Sequence, residues 1–223
     1  MSRPNMRPSA AFTLVELLAV LAIIGVLSGI LLVVVGRAHA TADRASTTGS
    51  LRAIGMAINA YANDNRGTLP GPLYIGQPAA YSTKSTKYLG YFLWSYLGDT
   101  EPTTAARESS VIANRAYLRL RTSTSTPVYT ICKSLRLSGD TSNVLPFGDP
   151  NASDETSGRP IKLALLSRYE LSKSWAMQDV DQLSPEVANY SSTAKSAYLP
   201  EPPLGDIRMT LYFDWHVAPV PVE

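Results

Sequence analysis

The sequence predicts an α+β protein in which one long N-terminal helix, apolar in its first half and amphipathic in its second, packs on a small antiparallel sheet. Three observations predict this. A run of 20 residues without a formal charge, Leu17 to Gly36, stands near the start of the chain. Beyond it, apolar residues recur at helical spacing as far as Tyr61. From Thr68 onward, short alternating segments are broken by glycine and proline, the pattern of strands and loops.

The 223 residues have room for one anchor and one globular domain of about 150 residues. A chain that is 45% apolar and 17% charged has the composition of a folded protein. Its net charge of +2, with no basic stripe, gives no reason to expect a nucleic-acid partner. Cys132 is the sole cysteine, which excludes an intramolecular disulfide. It ends the apolar-alternating run from Val128 and reads as a buried strand residue rather than a nucleophile. With only His39 and His216 beside it, no zinc site is expected.

Residues 1–11 (MSRPNMRPSAA) are small and polar, with Arg3 and Arg7 their only charges. Phe12-Thr13-Leu14-Val15-Glu16 then opens the apolar run. At 1.5 Å per residue, Leu17 to Gly36 spans about 30 Å, the hydrocarbon thickness of a bilayer. Ser28 can bond back to its own helix, and Gly25, Gly29 and Gly36 are tolerated in a membrane helix. Arg3 and Arg7 favour a cytoplasmic N-terminus. A cleaved secretory signal would use Ala38-His39-Ala40 as its A-x-A site and start the mature chain at Thr41. Such signals carry an apolar core of about 7–15 residues, shorter than this one. A plain anchor accounts for the length but leaves Glu16 unexplained. A carboxylate at the lip of an apolar helix costs a few kcal/mol if drawn into lipid, so it needs a partner or a role.

Ala11-Phe12-Thr13-Leu14-Val15-Glu16-Leu17-Leu18 resembles the cleavage and methylation signal of type IV prepilins and type II secretion pseudopilins. The resemblance implies a pilin-like fold and cutting between Ala11 and Phe12 by a prepilin peptidase that also N-methylates Phe12. Ala11 stands where that family favours glycine. It implies that Glu16 pairs with the α-amino group of Phe12 in a neighbouring subunit, two costly charges satisfying each other and fixing axial register. The expected division is a leader at 1–11, a transmembrane half-helix at 12–36, an amphipathic half at 37–66, and a periplasmic or extracellular domain at 67–223. The implied partners are the prepilin peptidase/methyltransferase, other pilin or pseudopilin subunits, and inner-membrane lipid.

Leu51, Ile54, Ile58 and Tyr61 share one helix face, with Asp43, Arg44, Arg52 and Asn59 among the intervening positions. Gly49 and Gly55 weaken the helix, by about 1 kcal/mol each, and mark a possible bend. Gly67 is expected at C′, and Pro70 blocks continuation. The aromatic run Tyr88–Leu97 reads as a buried helix or strand rather than a carbohydrate platform. Residues 103–121 read as a helix through Val111, Ile112 and Leu118, and 127–137 and 160–166 as strands. Gly148 to Glu155 is a turn-rich acidic loop. Some pseudopilins bind calcium in such a loop; Asp149, Asp154 and Glu155 are the candidate ligands here, in a spacing unlike an EF-hand, and a solvated loop is the plainer reading. No other cofactor is expected.

Met209, Leu211, Phe213, Trp215 and Val217 alternate with polar residues, the pattern of a half-buried strand or a hairpin turning near Asp214. This end resembles that of a pilin-like family whose C-terminal motif is His, nine residues, then Asp-Gly and usually His-Val. Asp214 and His216-Val217 are in place, but Leu204 stands at the His position and Trp215 at the Gly. Ser174 to Asp179 resembles that family's strand ending in Asp. Three functions remain open: a structural filament subunit, a minor or tip subunit binding cargo or a surface ligand, and an exported protein with no filament role. No G-x-S-x-G, H-E-x-x-H or phosphate-binding glycine loop is present, and an enzyme is not expected.

Overall fold

The computed structural model describes residues 14–136 and 143–222. Helix α1 runs from Leu14 to Asp64. It is followed by β1 (Gly76–Pro78), β2 (Ala80–Tyr81), α2 (Leu89–Leu93), β3 (Arg107–Glu108), α3 (Arg115–Leu120), β4 (Pro127–Ile131) and α4 (Glu155–Gly158). Two 3₁₀ turns, Leu163–Arg168 and Pro185–Val187, then alternate with β5 (Trp175–Asp179) and α5 (Ser192–Lys195) before the hairpin of β6 (Ile207–Tyr212) and β7 (Val217–Pro221). The long helix followed by a small antiparallel sheet is the α+β, pilin-like architecture expected. Two compact units are present, one ending at Ala42 and the other beginning at Asp43.

In the first unit, every described side chain from Leu17 to Gly36 is exposed. The apolar positions surround the helix instead of forming a stripe, so no face is reserved for a core.

The second unit is built on the rest of α1. Asp43, Thr47, Leu51, Ile54, Ile58 and Ala62 are buried along one stripe at i, i+4, i+8, i+11, i+15 and i+19. Three of the four apolar positions expected on this face are fully buried; Tyr61 sits at its margin, against Phe92 and Tyr96. Asp43 does not lie on the polar side as expected. It continues the buried stripe one turn before Thr47, because α3 docks over it. At the other end, Arg66 takes the left-handed C′ position (φ 56°) and Gly67 (φ 83°) follows it. The Gly67 N–H donates to the Ala62 carbonyl at 2.7 Å, the six-to-one bond of a Schellman cap, so glycine serves one residue later than expected.

The main sheet has five antiparallel strands in the order β1-β4-β5-β6-β7; β2 and β3 pair separately. Leu51, Ile54 and Ile58 share one apolar core with Tyr129, Ile131, Met177, Leu211 and Phe213. Gly55 explains how closely helix and sheet approach. A Cβ there would lie 3.1 Å from Leu211 Cδ1 and 3.2 Å from Trp215 Cε3. The glycine thus serves packing rather than a bend, and α1 is continuous through it.

Other expectations change. Residues 103–121 hold β3 and the short α3 rather than one helix, because Asn114 caps a new start: its Oδ1 accepts the Tyr117 N–H at 2.9 Å. The strand read over 127–137 stops at Ile131, and Leu135 only bridges Val144. Residues 160–166 contribute one bridge, Lys162 to Thr68, before the 3₁₀ turn from Leu163. Cys132 is buried just beyond β4, and burial pushes its thiol up to about 12, as suits a core residue.

The two helix glycines separate propensity from packing. Gly49, with nothing within 4 Å of a built Cβ, should gain about 1 kcal/mol on Gly49→Ala. Gly55→Val should lose about 1–3 kcal/mol by overpacking Leu211 and Trp215. Chemical denaturation of both variants checks the contrast, and equal responses would contradict the packing.

Candidate functional site

In the first unit, Glu16 lies in the first turn of α1, ahead of the charge-free stretch. Thr41 Oγ1 donates to the Arg37 carbonyl one turn back at 3.0 Å, keeping a polar side chain satisfied on its own helix. Leu14–Asp64 is long and apolar enough, by length and composition, to cross a membrane. The expected cleavage junction, Ala11–Phe12, lies outside the described residues. Residues 6–32 match a family model described as the prokaryotic N-terminal methylation motif. The chain is type IV pilin- or pseudopilin-like. The match supports a precursor processed by prepilin peptidase, from a family of structural subunits, and motif and apolar helix together support membrane anchoring. No curated protein and no solved structure matches the chain. The outer unit of this pilin-like chain is therefore argued from its own geometry.

Its C-terminal hairpin turns where expected. The Trp215 N–H donates to the Tyr212 carbonyl at 2.9 Å, and the Tyr212 N–H to the His216 carbonyl at 3.0 Å. Trp215 follows this turn in the left-handed region, φ 69°. This is the three-residue loop whose last position favours glycine. Tryptophan there gives up glycine's ease at positive φ but packs its ring edge against Gly55. Asp214 Oδ1 accepts the His216 N–H at 3.2 Å and lies 2.5 Å from His216 Nδ1. The imidazole stacks on Tyr212, centroids 4.3 Å apart and planes 7° from parallel. Partial burial of the Asp214 carboxyl opposes its ionisation, but the bonds from His216 outweigh this and hold it below the usual carboxylate range. The pair braces a surface turn.

The acidic loop places its three carboxylates on three different tasks. Asp149 Oδ1 accepts the Asn151 N–H at 2.9 Å, and its Oδ2 lies 4.0 Å from Lys133 Nζ. Asp154 caps α4 through the Ser157 N–H at 2.7 Å, a bond that lowers its pKa. Glu155 pairs with Arg159 one turn on. Among the described residues, no group of three or more His, Cys, Asp and Glu stands where it could hold a metal ion.

Three buried carboxyls, Asp43, Asp181 and Asp179, were given no role from sequence, although Asp179 closed the strand noted there. The Asp43 side chain, 2% exposed, meets Arg119 Nη1 at 2.6 Å and Arg115 Nε at 3.4 Å. Ser46 Oγ accepts the Arg115 N–H at 3.3 Å, so two residues of α1 grip the start of α3. Asp181 holds Arg208 bidentately at 2.7 and 2.9 Å, both side chains buried. Because the Asp181 turn covers that face, β6 is buried on both sides from Arg208 to Thr210 rather than half-buried. The available signals were the spacing of 43, 47 and 51, and Asp181 three residues before Ser184, whose Oγ accepts the Asp181 N–H at 3.0 Å.

The third is Asp179, fully buried at the end of β5, whose Oδ2 accepts the Met209 N–H at 2.9 Å. Burial raises its pKa to about 7, aided by the Asp181 charge and opposed by the Met209 bond and the Arg208 charge. A carboxyl whose folded pKa is raised binds its proton more tightly in the native state. Its contribution to stability is complete below about pH 4 and is lost as pH rises through about 7. The thermal midpoint should therefore fall between pH 5 and pH 8, and Asp179→Asn, which keeps an acceptor for Met209, should flatten that fall. Identical pH profiles for the two proteins would contradict the assignment.

Proposed function

We infer that the chain is a structural subunit of a type IV pilus or a type II secretion pseudopilus. The observation that carries this reading is the methylation motif at residues 6–32, which overlaps the part of α1 whose described apolar side chains are exposed on every face. The leader, residues 1–11, is removed between Ala11 and Phe12, and Phe12 becomes the N-methylated mature terminus. Residues 12–36 sit in the inner membrane with the N-terminus cytoplasmic, residues 37–66 continue as the amphipathic half, and residues 67–223 lie in the periplasm or on an extracellular filament. Other pilin or pseudopilin subunits then replace lipid around the apolar half-helix.

Glu16 fixes register in that exchange. Apolar contacts between helices slide at little cost, since lipid and helix surfaces are equally apolar. A carboxylate meeting the Phe12 ammonium of a neighbour satisfies two groups that are otherwise expensive in an apolar bundle. A second reading, a minor or tip subunit that binds a ligand, is favoured by a polar-aromatic cavity in the outer unit. Glu16→Ala should leave the leader cleaved and the chain in the membrane but lower its recovery in sheared filaments at least about tenfold, the loss of roughly 1.4 kcal/mol of pairing. Unchanged recovery, read by immunoblot of sheared and membrane fractions, would remove the pairing role.

A further inference from the structure

A cavity of about 360 Å³ opens between β1, β4, α5 and the loop that begins at Gly148. That volume is at the lower end of small-molecule sites, which run from about 300 to 1,000 Å³. Four tyrosines line it, Tyr74, Tyr88, Tyr190 and Tyr198, together with Lys133 and Asp149. Tyr74 and Tyr88 pack at 5.7 Å between ring centroids, and Tyr190 meets Tyr198 edge-on at 6.1 Å.

The lining is held in place from behind. Fully buried Gln77 donates through Nε2 to the Tyr74 carbonyl, and its Oε1 accepts the Leu89 N–H at 2.6 Å, next to Tyr88. The Tyr74 N–H donates to the Lys87 carbonyl at 3.1 Å. Gly76 keeps space for the Tyr198 hydroxyl, since a Cβ at that position would stand 2.6 Å from it. On the opposite wall, Gly148 (φ 66°) lies so close to the Arg159–Pro160 backbone that a Cβ would stand 2.8 Å from the Arg159 carbonyl carbon. The Asp149 N–H donates to the Ser157 carbonyl at 2.8 Å, which fixes its backbone at the rim, and the Asn151 N–H holds its carboxylate at 2.9 Å. A wall built in this way keeps its shape before a ligand arrives, and binding then costs less ordering.

Charge decides the ligand class. Lys133 Nζ and Asp149 Oδ2 lie 4.0 Å apart, so the rim carries one charge of each sign. A cation drawn by the tyrosine faces and Asp149 would meet Lys133 as well, and an anion drawn by Lys133 would meet Asp149, so neither sign gains a net field. A neutral ligand with many hydroxyls meets a donor, an acceptor and three accessible phenols, Tyr74, Tyr88 and Tyr190, with the buried Tyr198 backing the wall. We propose that this cavity binds a neutral saccharide, a mono- or disaccharide unit whose C–H faces lie on the tyrosine rings and whose hydroxyls bond Asp149, Lys133 and the Asn151 side-chain amide. The site belongs to the outer unit alone and holds whether or not the chain enters a filament.

Saturation-transfer NMR on the full chain tests it, in nanodiscs of phosphatidylethanolamine and cardiolipin that present neither sugar nor choline. The probes are glucose, galactose, N-acetylglucosamine and lactose, with choline and inorganic phosphate as ionic competitors. At least one neutral sugar should bind, and Tyr74→Ala and Asp149→Ala should each weaken it about tenfold. Tyr74 is 40% exposed, so its truncation spares the core and decides the matter even if the Asp149 variant fails to fold. Binding of choline or phosphate in place of the sugars, binding of none of them, or sugar binding indifferent to Tyr74→Ala would overturn the proposal.

Discussion

From Leu17 to Gly36, α1 is apolar on every face, and every described side chain there is exposed. Each square ångström of apolar surface left in water costs about 25 cal/mol, so a helix of this kind must rest in lipid or among other apolar helices. Those two surroundings are nearly equivalent for its side chains, because lipid tails are as apolar as leucine. Movement from one to the other therefore costs little in apolar contact. The same equivalence means that apolar packing alone chooses no axial position. On the proposed pairing, Glu16 supplies the choice: a single carboxylate beside a charge-free stretch cannot be indifferent to where its counter-charge lies.

The outer unit meets a different constraint, a helix that offers one stripe to a sheet. The stripe begins and ends in polar fittings rather than apolar ones. Asp43 and Ser46 hold α3 at one end, and the Arg66–Gly67 cap turns the chain away at the other. Between them, Gly55 lets Leu211 and Trp215 come to contact distance. The same hairpin places tryptophan at a left-handed turn position, a local cost offset by the packing of its ring. On the far side of β6, Asp181 and Arg208 bury a charge pair whose disruption from one side would cost about 3–5 kcal/mol. The sheet thus has a helix-facing side held by apolar packing and an opposite side closed by a hydrogen-bonded ion pair.

What was legible in the amino-acid sequence was what is local. The apolar stretch follows from a run without charge, Glu16 from being the carboxylate at its lip, the stripe Leu51–Ile54–Ile58 from periodicity, and the turn near Asp214 from alternation of apolar and polar residues. Asp43 was misplaced because a stripe read only from apolar residues stops where the first charge appears, although its spacing from Thr47 and Leu51 is helical. The segment 160–166 is a short apolar run, and such runs do not distinguish a strand from a 3₁₀ turn. Asp179 was noted only as a strand end and Asp181 not at all; their burial against Met209 and Arg208, near 30 positions away, is what makes them special. The tyrosine cavity is drawn from segments spread between Leu73 and Tyr198, so no window of sequence contains it.

All of the assembly account follows from what happens at the start of the chain. Intact-mass and N-terminal peptide mass spectrometry of the protein extracted from membranes tests it most directly. The account predicts a mature chain beginning at N-methylated Phe12, with the apolar half-helix retained. A chain beginning at Thr41 would mean that the helix is a discarded export signal, and would contradict it.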